Sequence, residues 1–521
     1  MKLTRFLAIL LLLGGISHVS ATTNSATTGS FADVSLAVSK SQLGDTVSIP
    51  PGTNIWTTTL QLTGITLAGS GQNSTVIIDE TPPTGNGTAL IQMNTTTTMT
   101  RVTQLQLRVG KTNSLPFQNY NGSIIIWGTS PFFRVDHCLF NYLTSKPIHV
   151  GAGENGLIDH CTFLCSNTAN AIEVYGPAYG DVSWATPYVT GTSNAVYMED
   201  NYIYSANSFC AADMSGGARA VFRHNTLVGS FFNTHGTETS ERYRSARFVE
   251  VYNNSFTWGG GQQYNNFYTT CDIRGGGAVI FSNTAVGYYG ISSINYYRAT
   301  DNDQNFIPFF GATGERAWDS NGPVILSGTA TVSSNALVVA GANWTANQWV
   351  GCTVYNQNTA LMGIVTGNNV NTMTFQASRS SWLQVKFSPG DPFEIHKIYP
   401  MIDQPGMGTG DLLSPTNGNP APIYLNETPD PIYIWGNSLQ VMYQSLTSIG
   451  ATGWSAYPNV QPNRDYFNNV ARPGYVSFVY PHPWVTLMDG SNTNAVVPPP
   501  TNTNAVPPVM SPPTNLKAQG L

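Results

Sequence analysis

The sequence predicts an all-β chain wound into a right-handed parallel β-helix. Three observations carry that prediction: one short pattern repeats six times, apolar residues hold fixed places within it, and turn-forming residues dominate a nearly uncharged composition. The repeats read FRVDHCLF (133–140), GLIDHCTF (156–163), VYMEDNYI (196–203), AVFRHNTL (220–227), VEVYNNSF (249–256) and VIFSNTA (279–285). They share a column of Cys138, Cys161, Asn201, Asn225, Asn254 and Asn283, at intervals of 23, 40, 24, 29 and 29 residues. Three positions before it stand Val135, Ile158, Met198, Phe222, Val251 and Ile280, and two positions after it Phe140, Phe163, Ile203, Leu227, Phe256 and Ala285. Apolar, polar, turn, polar, apolar at a long repeat marks a solenoid. Each coil adds short strands to stacked parallel sheets, and the apolar columns join into one core. Asn suits the turn because it tolerates left-handed backbone and can bond a neighbour one coil away. A propeller needs four strands per repeat, and a sandwich does not keep such columns in register.

The elements follow in order along the chain. Residues 1–21 carry Lys2 and Arg5, an apolar run from Phe6 to Leu13 and the small residues Val19-Ser20-Ala21. That is the pattern of a cleaved secretory signal, too short and wrongly flanked for a membrane anchor, so a secreted (extracellular or periplasmic) protein is expected. Residues 22–320 are expected to hold an amino-terminal cap and the main coils, with GDTVSIPPGT and GITLAGSGQNSTVII as the first short strands. Residues 321–398 break the period with denser strands such as VILSGTATV, WVGCTVYN and TMTFQA, and read as a small inserted β-domain. Residues 399–489 return to the solenoid: PIYIWGNSL puts Asn437 in the ladder column, and NRDYFNNVARPGYVSFVYPHPW closes the fold. Residues 490–521 are rich in Pro, Asn and Thr and read as a linker or tail.

Composition narrows the class of function. Only 10% of residues are charged and the net charge is −6, which argues against nucleic acid as a partner. No stretch after the signal is apolar enough to span a membrane, and a monomer is expected. Six Cys in a chain of this length do not make a disulfide framework. Cys138 and Cys161 fall in one column on successive coils, about 4.8 Å apart, where a stack of buried free thiols is preferred to a disulfide. The twin Asp136-His137 and Asp159-His160 pairs have the composition of metal ligands, but they recur at the turn and read as supports for it.

A second series of strands precedes the turn: SIIIWG (123–128), KPIHVG (146–151), AIEVYG (171–176), CAADMS (210–215), FNTHG (232–236), CDIRG (271–275) and IYIWG (432–436). Their last large residues make a column of Trp127, Val150, Tyr175, Met214, His235, Arg274 and Trp435. Two positions earlier stand Ile125, Ile148, Glu173, Ala212, Asn233, Asp272 and Tyr433. Residues two apart on a strand share a face, and the column between them (Ile126, His149, Val174, Asp213, Thr234, Ile273, Ile434) is mostly apolar and hence mostly inward. Trp127, Glu173, Tyr175, Asn233, His235, Asp272 and Arg274 are therefore expected to project outward on consecutive coils. His149 and Asp213 sit awkwardly in an inward column unless the register slips there. Two long connections leave this edge, PAYGDVSWATPYVTGTS after Tyr175 and TETSERYRSAR after His235, and would wall a groove. The second holds Glu238, Glu241, Arg242, Arg244 and Arg247 in a protein that otherwise avoids charge.

On its repeated coils and capped amino-terminal end, most of residues 31–489 resembles the pectate-lyase-like superfamily of secreted β-helix proteins. The resemblance implies a polysaccharide as partner, polysaccharide lyase or glycoside hydrolase activity with adhesins as a minority, and a groove on the sheet before the first turn. No single family's catalytic signature is present, so the roles come from residue chemistry. In a lyase acting on a uronic-acid glycan, Arg242, Arg247 or Arg274 would neutralise the sugar carboxylate, directly or through Ca²⁺ held by Asp272 or Asp213. His235 would take the proton. In a hydrolase, Glu173 with Asp213, or Asp213 with Asp272, would supply two carboxyls roughly 5–5.5 or 6.5–9.5 Å apart. Trp127, Tyr175, Asn233, Arg242 and Arg244 would hold the sugar in either case. Cations clustered on an acidic protein favour the lyase, and a glycan-binding module without turnover stands behind both. Ca²⁺ is the one cofactor these residues suggest.

Overall fold

The computed structural model of the chain describes residues 21–82, 88–110, 122–128, 132–141, 146–151, 155–165, 170–176, 188–205, 210–234, 246–258, 269–294, 324–350, 352–359, 361–376, 385–396, 405–409, 428–440, 445–449 and 462–489. The fold is all-β, a right-handed parallel β-helix built on three long parallel sheets. The front sheet stacks ten strands, among them Leu60–Thr63, Ile91–Thr95, Ile124–Gly128, Ile148–Val150, Asn170–Tyr175, Cys210–Ser215, Phe232–Thr234, Thr269–Ile273 and Gly290–Ile294. A second sheet stacks twelve strands, including Phe133–Asp136, Val196–Glu199, Arg219–Arg223 and Gly277–Phe281, and a third stacks ten.

The apolar columns make the core. Val135, Ile158, Met198, Phe222, Val251 and Ile280 pair strand to strand in one register, and all are fully buried. On the other side of the turn Phe140 and Phe163 stack with ring centroids 4.8 Å apart. Between these columns runs the Asn ladder. Asn225 Oδ1 accepts from the backbone N–H and the Nδ2 of Asn201, Asn254 Oδ1 accepts the same pair from Asn225, and Asn283 and Asn437 continue the series at 2.9–3.0 Å. The left-handed residue is not the Asn itself but the one before it. His137, His160, Asp200, His224, Asn253 and Ser282 have φ of 50–57°, which corrects the expected role of the ladder Asn. The ladder residue is selected instead for its amide, which stays inside the turn and bonds the coils above and below. The two Asp-His pairs serve this turn. His137 and His160 bond the carboxylates of Asp136 and Asp159 through Nδ1 and stack on each other at 5.1 Å. All six cysteines are free and buried, Cys138 and Cys161 within the ladder column.

Elements of other kinds accompany the coils. Helix α1, Phe31–Lys40, starts at Ser30, whose Oγ accepts from Asp33 N–H, and it buries Val34 and Ala37 against the first coils. Between Gly290–Ile294 and the later coil, Val324–His396 form a six-stranded antiparallel sheet with its own core, including Leu337, Val354, Val365, Met373, Phe393 and Ile395. Ile432–Trp435 then pairs directly with Ala278–Phe281, so the parallel stack resumes where it stopped. Tyr466–Asn468 adds the last strand of the twelve-stranded sheet, and the chain then turns back as a strap across that sheet's outer face. Tyr475 bonds Glu250, Arg223 donates to the carbonyls of Phe478 and Val479, His482 N–H bonds Glu199, and Arg134 reaches the carbonyl of Trp484. Among the described residues no helix is long and apolar enough to cross a membrane.

Candidate functional site

The outer face of the front sheet carries a polar column across consecutive strands. Strand pairing aligns Ile125 with His149, His149 with Glu173, Glu173 with Asp213, Asp213 with Asn233, Asn233 with Asp272 and Asp272 with Ser293. Their strand neighbours Ile148, Val150, Ile172, Val174, Ala212, Met214, Phe232, Cys271 and Ile273 belong to the core, so the column faces away from it. His149 and Asp213 are thus outward, while Ile148, Val150, Ala212 and Met214 are inward: the column assignment is reversed at these two strands, where the two polar residues already sat awkwardly. The physical reason is strand length. Alignment on the small residue that ends each strand matches Gly128 with Gly151, but Ile126 pairs Val150, which leaves Gly151 beside Trp127. A Cβ on Gly151 would lie 2.3 Å from Trp127 Cζ3, so the missing side chain is what lets the indole lie across the next strand. Tyr175 likewise pairs Ser215, not Met214.

Glu173 is the hub of the column. Lys146 Nζ and His149 Nδ1 both meet its Oε2, at 2.5 and 2.6 Å, and Asn170 Nδ2 lies 3.4 Å from Oε1. Burial opposes ionisation of this carboxyl, but the Lys146 charge and the His149 hydrogen bond outweigh it and hold Glu173 well below the usual carboxylate range. Asp213 accepts from Asn170 Nδ2 at 3.2 Å and from Asn233 Nδ2 at 2.8 Å. Asp272 accepts from Ser293 Oγ at 2.7 Å, with Arg274 Nε 3.7 Å from its other oxygen. His149 stands between two aromatic rings, 5.9 Å from Trp127 and 5.3 Å from Tyr175. Trp127 is 37% exposed, whereas Asp213, Asn233 and Asp272 have no exposure at all.

The depressed carboxyl predicts a pH dependence. The unfolded value is about 4.3 and the folded one lies lower, so the stability Glu173 contributes is fully present above that value and is lost as pH falls below it. The melting temperature of Glu173→Gln should therefore fall below that of wild type at neutral pH, with the gap narrowing in strong acid. A gap that stays constant across that window would contradict the ion pair.

Other expected site residues lie elsewhere. Arg247 precedes Phe248 on the twelve-stranded sheet and pairs with Asp430 at 2.8 Å, so it is part of the packing there and not of this face. Trp435 and Tyr433 also belong to that sheet, where Trp435 stacks on Phe281 at 4.4 Å. Arg274, by contrast, shares the outward face with Asp272, since Ile273 between them is in the core, but it is covered there and donates from Nε to the carbonyl of Thr234 at 2.7 Å. His235, Arg242 and Arg244 lie outside the described residues, as does most of the connection that holds Arg242 and Arg244. Lys146, His149 and Asn170 were not picked out as site residues. The inward alternation of Ile148 with Val150 locates His149, whereas Lys146 and Asn170 fall in step with the inward residues and no strand pattern names them.

The Ca²⁺ expectation finds little support in this arrangement. Among the described residues no group of three or more His, Cys, Asp or Glu is placed to hold a metal ion. Asp213 and Asp272 are separated by the Asn233 strand, and each is engaged by its own donors. The front face therefore offers a lysine, a histidine and three carboxylates beside an exposed indole, without a ready-made metal cage. In comparison with known proteins, no family model matches the chain, and a search of curated proteins gave no match.

Proposed function

We propose that the protein is a secreted polysaccharide lyase that cleaves an acidic, uronate-bearing glycan by β-elimination on the outer face of the front sheet. The observation that carries this reading is the convergence of Lys146 and His149 on Glu173 beside the exposed ring of Trp127. A lyase has to hold the sugar carboxylate against positive charge and remove the proton from the carbon next to it. An ammonium and an imidazole side by side suit those two tasks. A hydrolase needs one carboxyl of a pair to carry a proton to the leaving oxygen. Glu173, held ionised by Lys146 and His149, is poorly suited to that part, which weighs against its pairing with Asp213. The indole of Trp127, packed against Gly151 and 37% exposed, offers an apolar platform to a sugar ring. The resemblance of the coils to pectate-lyase-like proteins points to the same class of substrate.

The test is a screen of acidic and neutral polysaccharides, following both new reducing ends and the ultraviolet absorbance of an unsaturated sugar. The lyase reading expects both signals together, on acidic glycans only. Reducing ends without the absorbance would replace it with a hydrolase, and retention of a glycan with neither signal would replace it with a binding protein.

A further inference from the structure

We infer that His149 is the general base of this site, with Glu173 as the residue that fixes its tautomer. The inference rests on the lyase reading above and goes beyond it by naming the atom that takes the proton. His149 Nδ1 lies 2.6 Å from Glu173 Oε2. An ionised carboxylate can only accept hydrogen bonds, so the proton between them belongs to Nδ1. In the neutral imidazole the lone pair is then on Nε2, the nitrogen that Glu173 does not touch. Lys146 Nζ meets the same Oε2 at 2.5 Å, so the carboxylate is anchored from two sides and cannot swing away from the ring.

Position supports the role. His149 is on the outward face by strand alternation, paired with Ile125 on one side and Glu173 on the other. Its side chain keeps 9% exposure between the rings of Trp127 and Tyr175. A sugar stacked on Trp127 would place its neighbour along the strand-stacking direction, across His149, since successive strands are about 4.8 Å apart. Asp213 and Asp272, further along the column, have no exposure and are engaged by amide and hydroxyl donors.

The step balances with the residues named. Nε2 takes the proton from the carbon next to the sugar carboxylate, and the electron pair left behind forms a carbon–carbon double bond as the glycosidic carbon–oxygen bond breaks. The leaving oxygen takes a proton from water, and the imidazolium returns its own to solvent. Lys146 faces the sugar carboxylate while this charge develops.

The experiment combines kinetics with nitrogen NMR of the histidine-labelled full chain, the His149 signal being identified by its loss in His149→Gln. On the acidic glycan that wild type cleaves, His149→Gln and His149→Ala should lose about a hundredfold to ten-thousandfold in kcat while the chain stays folded. Added imidazole should restore part of the turnover of His149→Ala, which a merely structural role would not allow. In wild type the His149 signal should show a protonated Nδ1 and a bare Nε2, and Glu173→Gln should shift that balance. Full turnover in His149→Gln, with the unsaturated product still formed, overturns the base while leaving the lyase reading intact. A bare Nδ1 in wild type overturns the assignment whatever the kinetics. Absence of cleavage on every acidic glycan removes the lyase reading and the base role together. If His149→Gln does not fold, the rescue of His149→Ala and the tautomer in wild type still decide.

Discussion

Arg223→Ala is expected to cost about 3–5 kcal/mol and to release the carboxy-terminal strap, because it removes one partner of a fully buried ion pair. Arg223 has no exposure. Its Nε donates to Glu199 at 2.7 Å, Nη1 to the Tyr252 hydroxyl at 3.0 Å and to the carbonyl of Phe478 at 2.8 Å, and Nη2 to the carbonyl of Val479 at 2.9 Å. The guanidinium also sits over the Tyr197 ring at 4.9 Å and the Tyr480 ring at 5.4 Å. One side chain thus joins two coils to the returning strap. Without it, Glu199 keeps only the N–H of His482 from the strap side, and burial, which already raises its pKa, would drive it to take up a proton. His482, pushed down to about 3 by burial and by Arg223 and Arg134, stays neutral and cannot replace the lost charge at neutral pH. Arg223→Lys should recover only part of the loss, since one ammonium cannot serve a carboxylate and two carbonyls in the guanidinium's plane. Thermal unfolding together with limited proteolysis of residues 472–489 provides the check. A variant whose strap stays as protected as in wild type would mean that Phe478, His482 and Trp484 hold it by packing alone.

The legibility of this chain divides by the kind of signal. The coils were legible because their signal is repeated. Val135, Ile158, Met198, Phe222, Val251 and Ile280 recur at one offset, and a periodic core leaves the same mark in every coil. The front face was only half legible, because a strand of three to six residues carries little internal evidence of its register. A slip of one residue exchanges the two faces, and the choice of Gly151 or Ser215 as the alignment mark produced that slip at His149 and Asp213. Glu173, Asn233 and Asp272 were placed on the right face, since their strands happen to end in step. The burial of Arg274 and the pairing of Arg247 with Asp430 were not legible at all, because their partners are remote or backbone atoms. Helix α1 left a local mark in Ser30 and Asp33, a capping pair that strand-like alternation nearby obscured. The strap is the clearest case of an illegible element: Arg134 and Trp484 are 350 residues apart in sequence, and no pattern near either names the other.

Asn254→Ala should be nearly as costly, on the order of 4 kcal/mol, for a different reason: it breaks a directional chain of amides inside the turn, where each buried orphan costs about 1–3 kcal/mol. Asn254 is 2% exposed. Its Oδ1 accepts from the backbone N–H of Asn225 at 2.9 Å and from Asn225 Nδ2 at 3.0 Å. Its Nδ2 lies 2.9 Å from both the carbonyl of Phe222 and Asn283 Oδ1. Alanine leaves the N–H of Asn225 and the carbonyl of Phe222 without the side chain that served them. Aspartate should not rescue the ladder, because its second oxygen would face that carbonyl and Asn283 Oδ1, acceptor against acceptor. Cysteine should fall between asparagine and alanine. The same column holds Cys161 next to its start, where Sγ donates to the carbonyl of Val135 at 3.5 Å, as Asn201 Nδ2 does to that of Ile158 at 2.9 Å. A thiol therefore keeps a weak form of the downward bond and loses the upward acceptor. Thermal and denaturant unfolding of the three variants would rank them, with hydrogen exchange at the Asn225 amide as the local readout. If alanine costs under about 1 kcal/mol, less than a single buried orphan, the coils are held together by strand pairing and apolar packing. The amide column would then set only the shape of the turn.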